Sequence, residues 1–115
     1  MADKLDFVDN KFNFLHFGFC LYVIDEELIV NVISEADRVL RHGGMLSILD
    51  FDHPELIEKE NKHKKELKTF KRRHEKYFLE IGYELVAKLS LTPELNIGFE
   101  IDPDNRVALY LLFKP

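Results

Sequence analysis

The longest apolar stretch of the chain lies near its start and predicts a buried strand. Residues 12–22 are aromatic, aliphatic or small apart from Asn13 and His16. Both faces of such a strand are apolar, which is typical of an interior strand of a parallel sheet. Extended to Ile24, the stretch is still far shorter than the roughly 20 residues that a helix needs to cross a bilayer, so we expect no membrane span.

A helix is predicted directly after this strand. Asp25 is a suitable N-cap residue, and Glu26 and Glu27 place negative charge in the first turn, where the helix dipole favours it. Apolar residues then recur at intervals of three and four and form one stripe: Leu28, Ile29, Val32, Ile33, Ala36, Val39 and Leu40. Gly43 is predicted to end the helix in a left-handed conformation, before a short buried strand over residues 45–51.

The order strand, helix, glycine, strand predicts two parallel strands joined by a crossover helix. A second helical pattern covers residues 56–81 and is predicted to end at Gly82. Its apolar face carries Leu67, Phe70, His74, Tyr77, Phe78 and Ile81. Residues 83–91 alternate between apolar and polar, which favours a strand toward an edge of the sheet. Residues 106–113 are the predicted last strand, and the short connection before them predicts that the last two strands are antiparallel neighbours.

Length and composition fit one folded domain over residues 1–115. The chain is 46% hydrophobic and 32% charged, so it can bury a core and we expect no disorder. A net charge of -5 argues against a general binder of polyanions. The single cysteine, Cys20, cannot form an internal disulfide, and the first residues do not resemble a signal peptide, so we expect a cytoplasmic protein.

Three local motifs resemble those of class I S-adenosylmethionine-dependent methyltransferases. Residues 5–13, LDFVDNKFN, resemble the approach to the family's fourth strand, with Asp6 in place of a proline and Asn13 in place of an aspartate. Residues 36–46, ADRVLRHGGML, resemble the segment before its fifth strand, with His42 where proline is usual. Residues 102–109, DPDNRVAL, are similar to the turn into the last strand in one group of bacterial methyltransferases.

The resemblance implies an α/β, Rossmann-like half-fold, namely the C-terminal half of the methyltransferase domain. We expect a mixed sheet of about four strands with the last strand antiparallel, and two main helices. S-adenosylmethionine is the implied cofactor and a small molecule the implied substrate. The five glycines of the chain include no Gly-x-Gly, the motif that lets backbone approach such a cofactor, so we expect the isolated chain to be impaired or inactive.

The resemblance also assigns residues to the two sides of a site. Ala2, Asp3, His16, Phe17 and Gly18 fall on the cofactor side, the first two against the adenine and the others beside the methionine part. Phe19, Asp50, Asp52 and His53 fall on the substrate side.

Several of these residues have a second interpretation. His16 either packs within its strand or accepts a proton, and Gly18 serves either packing or a close approach to the cofactor. Asp50, Asp52 and His53 superficially suggest a metal site, but without a further ligand we expect a solvated strand end and no metal. Cys20 is expected to be a small core residue, not a nucleophile.

Residues 59–76 hold nine basic and three acidic residues. On a helix they would form either a solvated face or a surface that steers an anionic substrate or nucleic acid. Without the family's first half, one sheet face and the edge of the 12–24 strand would be uncovered. We therefore expect a homodimer or a complex with a complementing N-terminal half. The alternatives to a methyltransferase-like protein are a non-catalytic oligomerising or regulatory remnant and a weak anion-binding or nucleic-acid-binding module, with nucleic acid an unfavoured partner.

Overall fold

The computed structural model describes residues 7–60 and 68–115. In chain order the elements are β1 (Phe12–Gly18), a 3-10 turn (Leu21–Val23), α1 (Glu26–Val39), β2 (Leu40–Glu60), β3 (Lys68–Arg73), α2 (Glu75–Glu80), β4 (Glu84–Leu91) and β5 (Val107–Phe113). The sheet has the strand order β1-β2-β5-β4, and β3 pairs with the outer part of β2. The predicted α/β class is confirmed, with five strands where about four were expected.

Strand directions follow the predicted pattern. β1 is parallel to β2, and β5 lies antiparallel between β2 and β4. β4 is an edge strand, as expected, but its apolar residues do not stay on one face. A bulge between Leu85 and Ala87 shifts the register, so that Leu85 pairs with Leu112 and Ala87 with Leu111.

The predicted crossover helix is confirmed as α1. The Leu28 backbone N–H donates to Asp25 Oδ1 at 2.9 Å, which satisfies one of the free amides at the helix start. The predicted stripe faces the core, where Ile29, Val32 and Ala36 are each at most 1% exposed. Burial of this stripe against β2 and β5 holds the β1–α1–β2 unit together.

The first strand is shorter than predicted and lies at the sheet edge. β1 ends at Gly18 because Phe19 adopts a left-handed conformation, with φ of 49°, that an extended strand cannot contain. The chain then forms the 3-10 turn over Leu21–Val23. The prediction of a strand as far as Tyr22 is therefore wrong at its end, and Phe14 is 52% exposed, unlike a residue of an interior strand.

Gly43 is left-handed, with φ of 82°, but it does not cap α1. The helix ends at Val39, and Leu40 is already extended. Gly43 instead lies where the β1–β2 pairing skips from Leu40 to Met45, and its amide donates to the Lys114 carbonyl at 2.7 Å. The glycine therefore shapes an irregular start of β2.

The long second helix predicted over residues 56–81 is wrong. β2 continues to Glu60 and pairs antiparallel with β3, so that the two strands form a ribbon beyond the main sheet. Only Glu75–Glu80 is helical, and residues 61–67 lie outside the described part of the chain. In β3 burial alternates, with Phe70 and Arg72 inside, because strand pairing overrides the helix propensity of lysine-rich sequence.

The two faces of the main sheet differ in what covers them. On one face α1 and α2 pack against fully buried side chains of β2 and β5, among them Leu46, Ile48, Tyr110 and Leu112. We call this the covered face. The other, which we call the open face, carries no helix from residues 7–60 or 68–115. None of the helices in these ranges is long and apolar enough to cross a membrane.

Candidate functional site

The ends of β1 and β2 meet at one edge of the sheet, where open α/β sheets bind ligands. Gly18 is paired with Leu49, and the Phe19 amide donates to the Leu49 carbonyl at 2.7 Å. The Asp52 amide donates to the Arg106 carbonyl at 2.8 Å, which brings the turn before β5 to the same place. This edge, which we call the strand-end edge, thus brings the predicted residues of β1 and β2 close together.

His16 and Gly18 form a small polar group with a residue that the sequence did not single out. His16 Nδ1 lies 3.0 Å from Ser47 Oγ, across the β1–β2 pair. A Cβ atom on Gly18 would lie 3.1 Å from His16 Nε2, so the missing side chain leaves room for the imidazole. His16 is exposed on the open face. The interpretation of His16 as tucked into a packed strand is therefore wrong, while a role in proton transfer stays a prediction.

Phe17 and Phe19 point into different surroundings. Phe17 is half-buried and packs against the core on the covered face. Phe19 contacts Phe51 edge to face, with ring centroids 5.7 Å apart, and Tyr22 approaches the same ring at 5.0 Å. Lys71 Nζ lies 4.2 Å from the Phe51 ring centroid. Phe19 thus belongs to an aromatic cluster, and its assignment to a substrate side stays a prediction.

Asp50 is completely buried on the covered face. Its Oδ2 accepts the Leu21 amide at 3.0 Å, and its Oδ1 accepts the Phe51 amide at 2.7 Å. His74 Nε2, also fully buried, lies 3.4 Å from Oδ1. Asp50 therefore anchors the 3-10 turn after β1 to the end of β2, which fixes where the chain leaves Gly18 and Phe19.

Asp52 is 3% exposed and has three partners. The Tyr110 hydroxyl donates to its Oδ1 at 2.6 Å, while Lys88 Nζ and Arg73 Nε lie 3.2 Å and 3.5 Å from the same atom. Lys88 also reaches Glu75 Oε2 at 3.1 Å, so one ammonium group joins two buried carboxylates. Burial, followed by the charges of Glu75 and Asp52, raises the pKa of Tyr110, which therefore stays a neutral donor.

His53 is 7% exposed. Its Nδ1 accepts the Glu55 amide at 3.1 Å, and its Nε2 lies 3.3 Å from Asp104 Oδ1. With Asp50 and Asp52 also buried, the expectation of a solvated strand end is wrong, because β3, β4 and the turn before β5 supply partners and exclude water. Within residues 7–60 and 68–115 no group of three or more His, Cys, Asp or Glu side chains could hold a metal ion.

Arg72 overturns the interpretation of residues 59–76 as a basic helix with a solvated face. Its side chain is 1% exposed, donates to the Ile24 carbonyl at 2.5 Å and lies 3.6 Å from Glu26 Oε1. Burial lowers its pKa. A cation placed here ties the ribbon to the start of α1.

The sequence therefore missed the residues that surround the two buried aspartates: Arg73, His74, Glu75, Lys88 and Tyr110. It also missed Ser47, beside His16 on the open face, and Arg72, beside Glu26. One signal was available, because carboxylates at the end of a buried strand need cations or donors nearby. That signal does not identify the cation or the donor, since Lys88 and Tyr110 are distant in sequence from Asp52 and reach it only through strand pairing.

Two further predictions meet different outcomes. Cys20 packs against the core, and burial with the nearby Asp50 raises its pKa, which disfavours the thiolate and confirms a core residue. Ala2 and Asp3 lie outside the described residues.

A separate cleft of about 440 Å³ lies at the opposite edge of the sheet, between Asp9, Arg38, His42 and Tyr83, and contains none of the predicted site residues.

The same architecture occurs in solved methyltransferases. One is an S-adenosylmethionine-dependent methyltransferase from Methanosarcina mazei. The match covers 99% of this chain and 64% of the Methanosarcina protein, with 16% sequence identity and a TM-score of 0.73. Another is the 1,6-didemethyltoxoflavin-N1-methyltransferase of Burkholderia thailandensis, which was solved with S-adenosylhomocysteine. The match covers 98% of this chain and 48% of the Burkholderia protein, with 12% sequence identity and a TM-score of 0.75.

The fold is shared by a protein named for other chemistry. The match to the [4+2]-cyclase SpnF covers all of this chain and 55% of SpnF, with 14% sequence identity and a TM-score of 0.66. No protein-family model and no curated protein sequence matches the chain. The chain spans about half to two thirds of the length of these structures. Over the part that it matches, the chain therefore has the Rossmann-like fold of class I S-adenosylmethionine-dependent methyltransferases.

Proposed function

We propose that the chain supplies part of a S-adenosylmethionine-dependent methyltransferase site, at the strand-end edge. The observation that carries this proposal is the match of nearly the whole chain to methyltransferases, one of them solved with S-adenosylhomocysteine. Ligands of open α/β sheets lie outside the carboxyl ends of the parallel strands. In this chain those ends are Gly18 of β1 and Asp52, where β2 leaves the main sheet.

The described residues fit one part of such a cofactor. Gly18 is exposed and has no side chain, so backbone is accessible beside the His16 imidazole. S-adenosylmethionine supplies a methyl group on a sulfonium, and the protein aligns the reactants and in some cases removes a proton. When Ser47 Oγ accepts a hydrogen bond from the Nδ1–H group of His16, the lone pair of Nε2 is available to remove a proton.

Asp50 and Asp52 have a supporting role in this proposal. Both are buried on the covered face with their oxygens engaged, so they hold the 3-10 turn, β4 and β5 in place and do not contact a ligand directly. Phe19 and the Phe51 ring border the edge on the substrate side. The adenosine part needs contacts that the sequence lacks, since there is no Gly-x-Gly. We therefore expect weak binding by the isolated chain.

Nuclear magnetic resonance of the 15N-labelled chain during titration with S-adenosylhomocysteine tests the proposal even at weak affinity. We expect the amide signals of Gly18 and Phe19 to move, while Gly82, at the opposite edge, does not. His16→Ala should reduce the shifts, whereas His42→Ala, an exposed histidine at the opposite edge, should not. Unchanged Gly18 and Phe19 signals at millimolar ligand, or equal movement of Gly82, would contradict the proposal.

A second candidate is the non-catalytic, oligomerising protein, and one observation favours it: the sheet has an apolar face that no described helix covers. The occurrence of this fold in a [4+2]-cyclase shows only that the fold alone does not dictate methyl transfer. The third candidate, a module that binds nucleic acid, depended on a long basic helix. The described residues of that segment form strands of the ribbon and one short helix instead. A cytoplasmic location stays a prediction from the lone cysteine.

A further inference from the structure

His74, directly before α2, is a completely buried histidine beside a completely buried carboxylate. Its Nε2 lies 3.4 Å from Oδ1 of Asp50. Neither ring nitrogen has a hydrogen-bond partner within residues 7–60 and 68–115. A buried imidazole that makes no directed hydrogen bond acts on a neighbouring carboxylate mainly through its charge. The contact between His74 and Asp50 therefore depends on whether the ring carries its second proton.

Asp50 differs from the other buried carboxylates in what balances its charge. The described residues include three buried acids, namely Asp50, Asp52 and Glu75. Arg73 Nε and Lys88 Nζ lie 3.5 Å and 3.2 Å from Asp52 Oδ1. Lys88 also reaches Glu75 Oε2 at 3.1 Å. For Asp50 the only ion-pair partner in this part of the chain is His74. An uncompensated buried charge is costly, so Asp50 needs a cation, and the His74 imidazolium is in place to provide it.

The remaining titratable groups near Asp50 do not pair with it. Arg72 of β3 is close enough for the Asp50 charge to act on its guanidinium, but its ion pair, at 3.6 Å, goes to Glu26 of α1. Burial, together with neighbouring carboxylate charges, raises the pKa of both Cys20 and Tyr110. These two groups stay neutral and supply no charge. Arg72 thus acts on Asp50 only at longer range, and the nearest group that can carry a proton to it is the imidazole.

We propose that His74 is a positioning residue of the strand-end edge, and that its proton holds this edge in the arrangement the structure shows. The imidazolium holds the Asp50 carboxylate, which accepts the Leu21 and Phe51 amides at 3.0 Å and 2.7 Å. Leu21 begins the 3-10 turn that follows β1, so the pair fixes where the backbone leaves Gly18. When the ring releases its proton to solvent, the ion pair ends and only the amide hydrogen bonds hold the turn. Ligand binding at the edge, which rests on the proposed function, should then weaken as the pH rises.

Nuclear magnetic resonance of the ligand-free, 15N-labelled chain over a pH series tests this coupling without a ligand. Histidine gains and loses its charge between about pH 5 and 8. We expect the ring signals of His74 to report the imidazolium at the acidic end, and the Leu21 amide signal to move along the same titration curve. His74→Gln should abolish this step of the Leu21 signal. His53→Gln is the matched control, because His53 is also buried but lies 3.3 Å from Asp104. That variant should retain the step.

Two results of this series would overturn the proposal. A neutral His74 ring throughout would assign the balancing of Asp50 to Arg72, and a Leu21 step that persists in His74→Gln would assign the movement to another group. If His74→Gln does not fold, as judged by circular dichroism, Asp50→Asn is the second variant. Its His74 ring should be neutral at a pH at which the wild-type ring is charged, because the charge partner is gone. Identical ring signals in this variant and the wild type would also contradict the pairing.

Titration with S-adenosylhomocysteine at both ends of the pH range connects the pair to the proposed site. The dissociation constant obtained from the Gly18 signal should rise several-fold from the acidic to the alkaline end in the wild type, and less in His74→Gln. His16 titrates in both proteins, so the difference between them belongs to His74. An equal pH dependence in the two proteins would overturn the positioning role. Absence of binding at every pH would instead contradict the proposed function, while the ligand-free series would still decide the role of the His74 proton.

Discussion

The covered and open faces of the sheet are built from neighbouring residues of the same strands, yet the side chains of the two faces are buried to different extents. Leu112 of β5 is 0% exposed, while Leu111 beside it is half-buried, and the same holds for Ile48 and Leu49 of β2. Both faces are apolar. The difference lies in α1 and α2, which pack on one side only. Apolar sequence therefore marks a surface that needs covering, and only the packing of other elements decides whether this chain covers it.

The covered face also changes character along its length. Toward the start of β2 it is aliphatic, and toward the strand-end edge it becomes a buried group of charged residues around Asp50 and Asp52. Charges in this position are stable only when partners from other elements reach them. Here Lys88, Arg73 and His74 come from β4, β3 and the start of α2. Among residues 7–60 and 68–115 the open face has no comparable charged group, and its central polar residues are His16 and Ser47.

The largest expected difference between the two faces is in the free energy of unfolding lost when either of two adjacent leucines is shortened. Leu112→Ala removes a completely buried side chain and should lower the free energy of unfolding by about 2–5 kcal/mol. Leu111→Ala should cost at most about 1 kcal/mol at low protein concentration, because its side chain is already partly in water. Urea unfolding measures both. Equal losses in the two variants would remove the distinction between the faces.

The next effect concerns the charged end of the covered face. Lys88→Met leaves Asp52 and Glu75 without the cation they share and should cost about 2–3 kcal/mol, less than for a fully buried pair since the Lys88 side chain is 28% exposed. Lys68→Met is the control, because Lys68 and Glu58 are 3.9 Å apart and both more than half exposed. That variant should change the free energy of unfolding by no more than about 0.5 kcal/mol. Similar losses in the two variants would argue against a buried network.

A smaller effect is expected at Tyr110 and depends on pH. Tyr110→Phe removes the hydroxyl that donates to Asp52 and should cost about 1–1.5 kcal/mol at pH 7. The folded-state pKa of Tyr110 is raised above its ordinary value of 10, so the stability it contributes is complete below pH 10 and is lost as the pH rises further. Urea unfolding at several alkaline pH values should therefore show a shallower decline for the variant. An unchanged slope would mean that Tyr110 ionises freely in the folded protein.

The smallest effect concerns the open face at the strand-end edge. The Cβ atom in Gly18→Ala would meet His16 Nε2 at 3.1 Å, the far end of a side chain that can move. The free energy of unfolding should change by no more than about 0.5 kcal/mol. The His16 ring should nevertheless leave Ser47, which the side-chain proton resonances of His16 would report. Unperturbed resonances would show that Gly18 is not needed to seat the imidazole.

The architecture was predicted from sequence where local patterns and tertiary packing agree. Asp25, the apolar stripe of α1 and the buried residues 45–51 predict the same β1–α1–β2 unit that the structure contains. The reversed last strand followed from a connection too short for another crossover. The ribbon was missed because lysine-rich sequence with apolar residues three or four apart fits a helix when read alone. The limits of the domain stay a prediction.

The site was predicted only in part. His16 and Gly18 were both singled out, and the structure brings them together, but Ser47 becomes their neighbour only through strand register. Asp50 and Asp52 were placed at a strand end, whereas their burial depends on β3 and β4. Spacing along the chain says that a carboxylate lies at an edge, but not which side of the sheet it faces or which cations reach it.

The sequence by itself determined which segments are apolar, where α1 begins and that the final strand turns back, because these depend on hydrophobic periodicity and capping within a few residues. Only the tertiary structure decided that β2 extends into a ribbon, that Arg72 and Lys88 enter the interior, and that one apolar face is open. The physical reason is that burial and charge pairing are set by residues far apart in sequence, whose contacts exist only once the strands have found their partners.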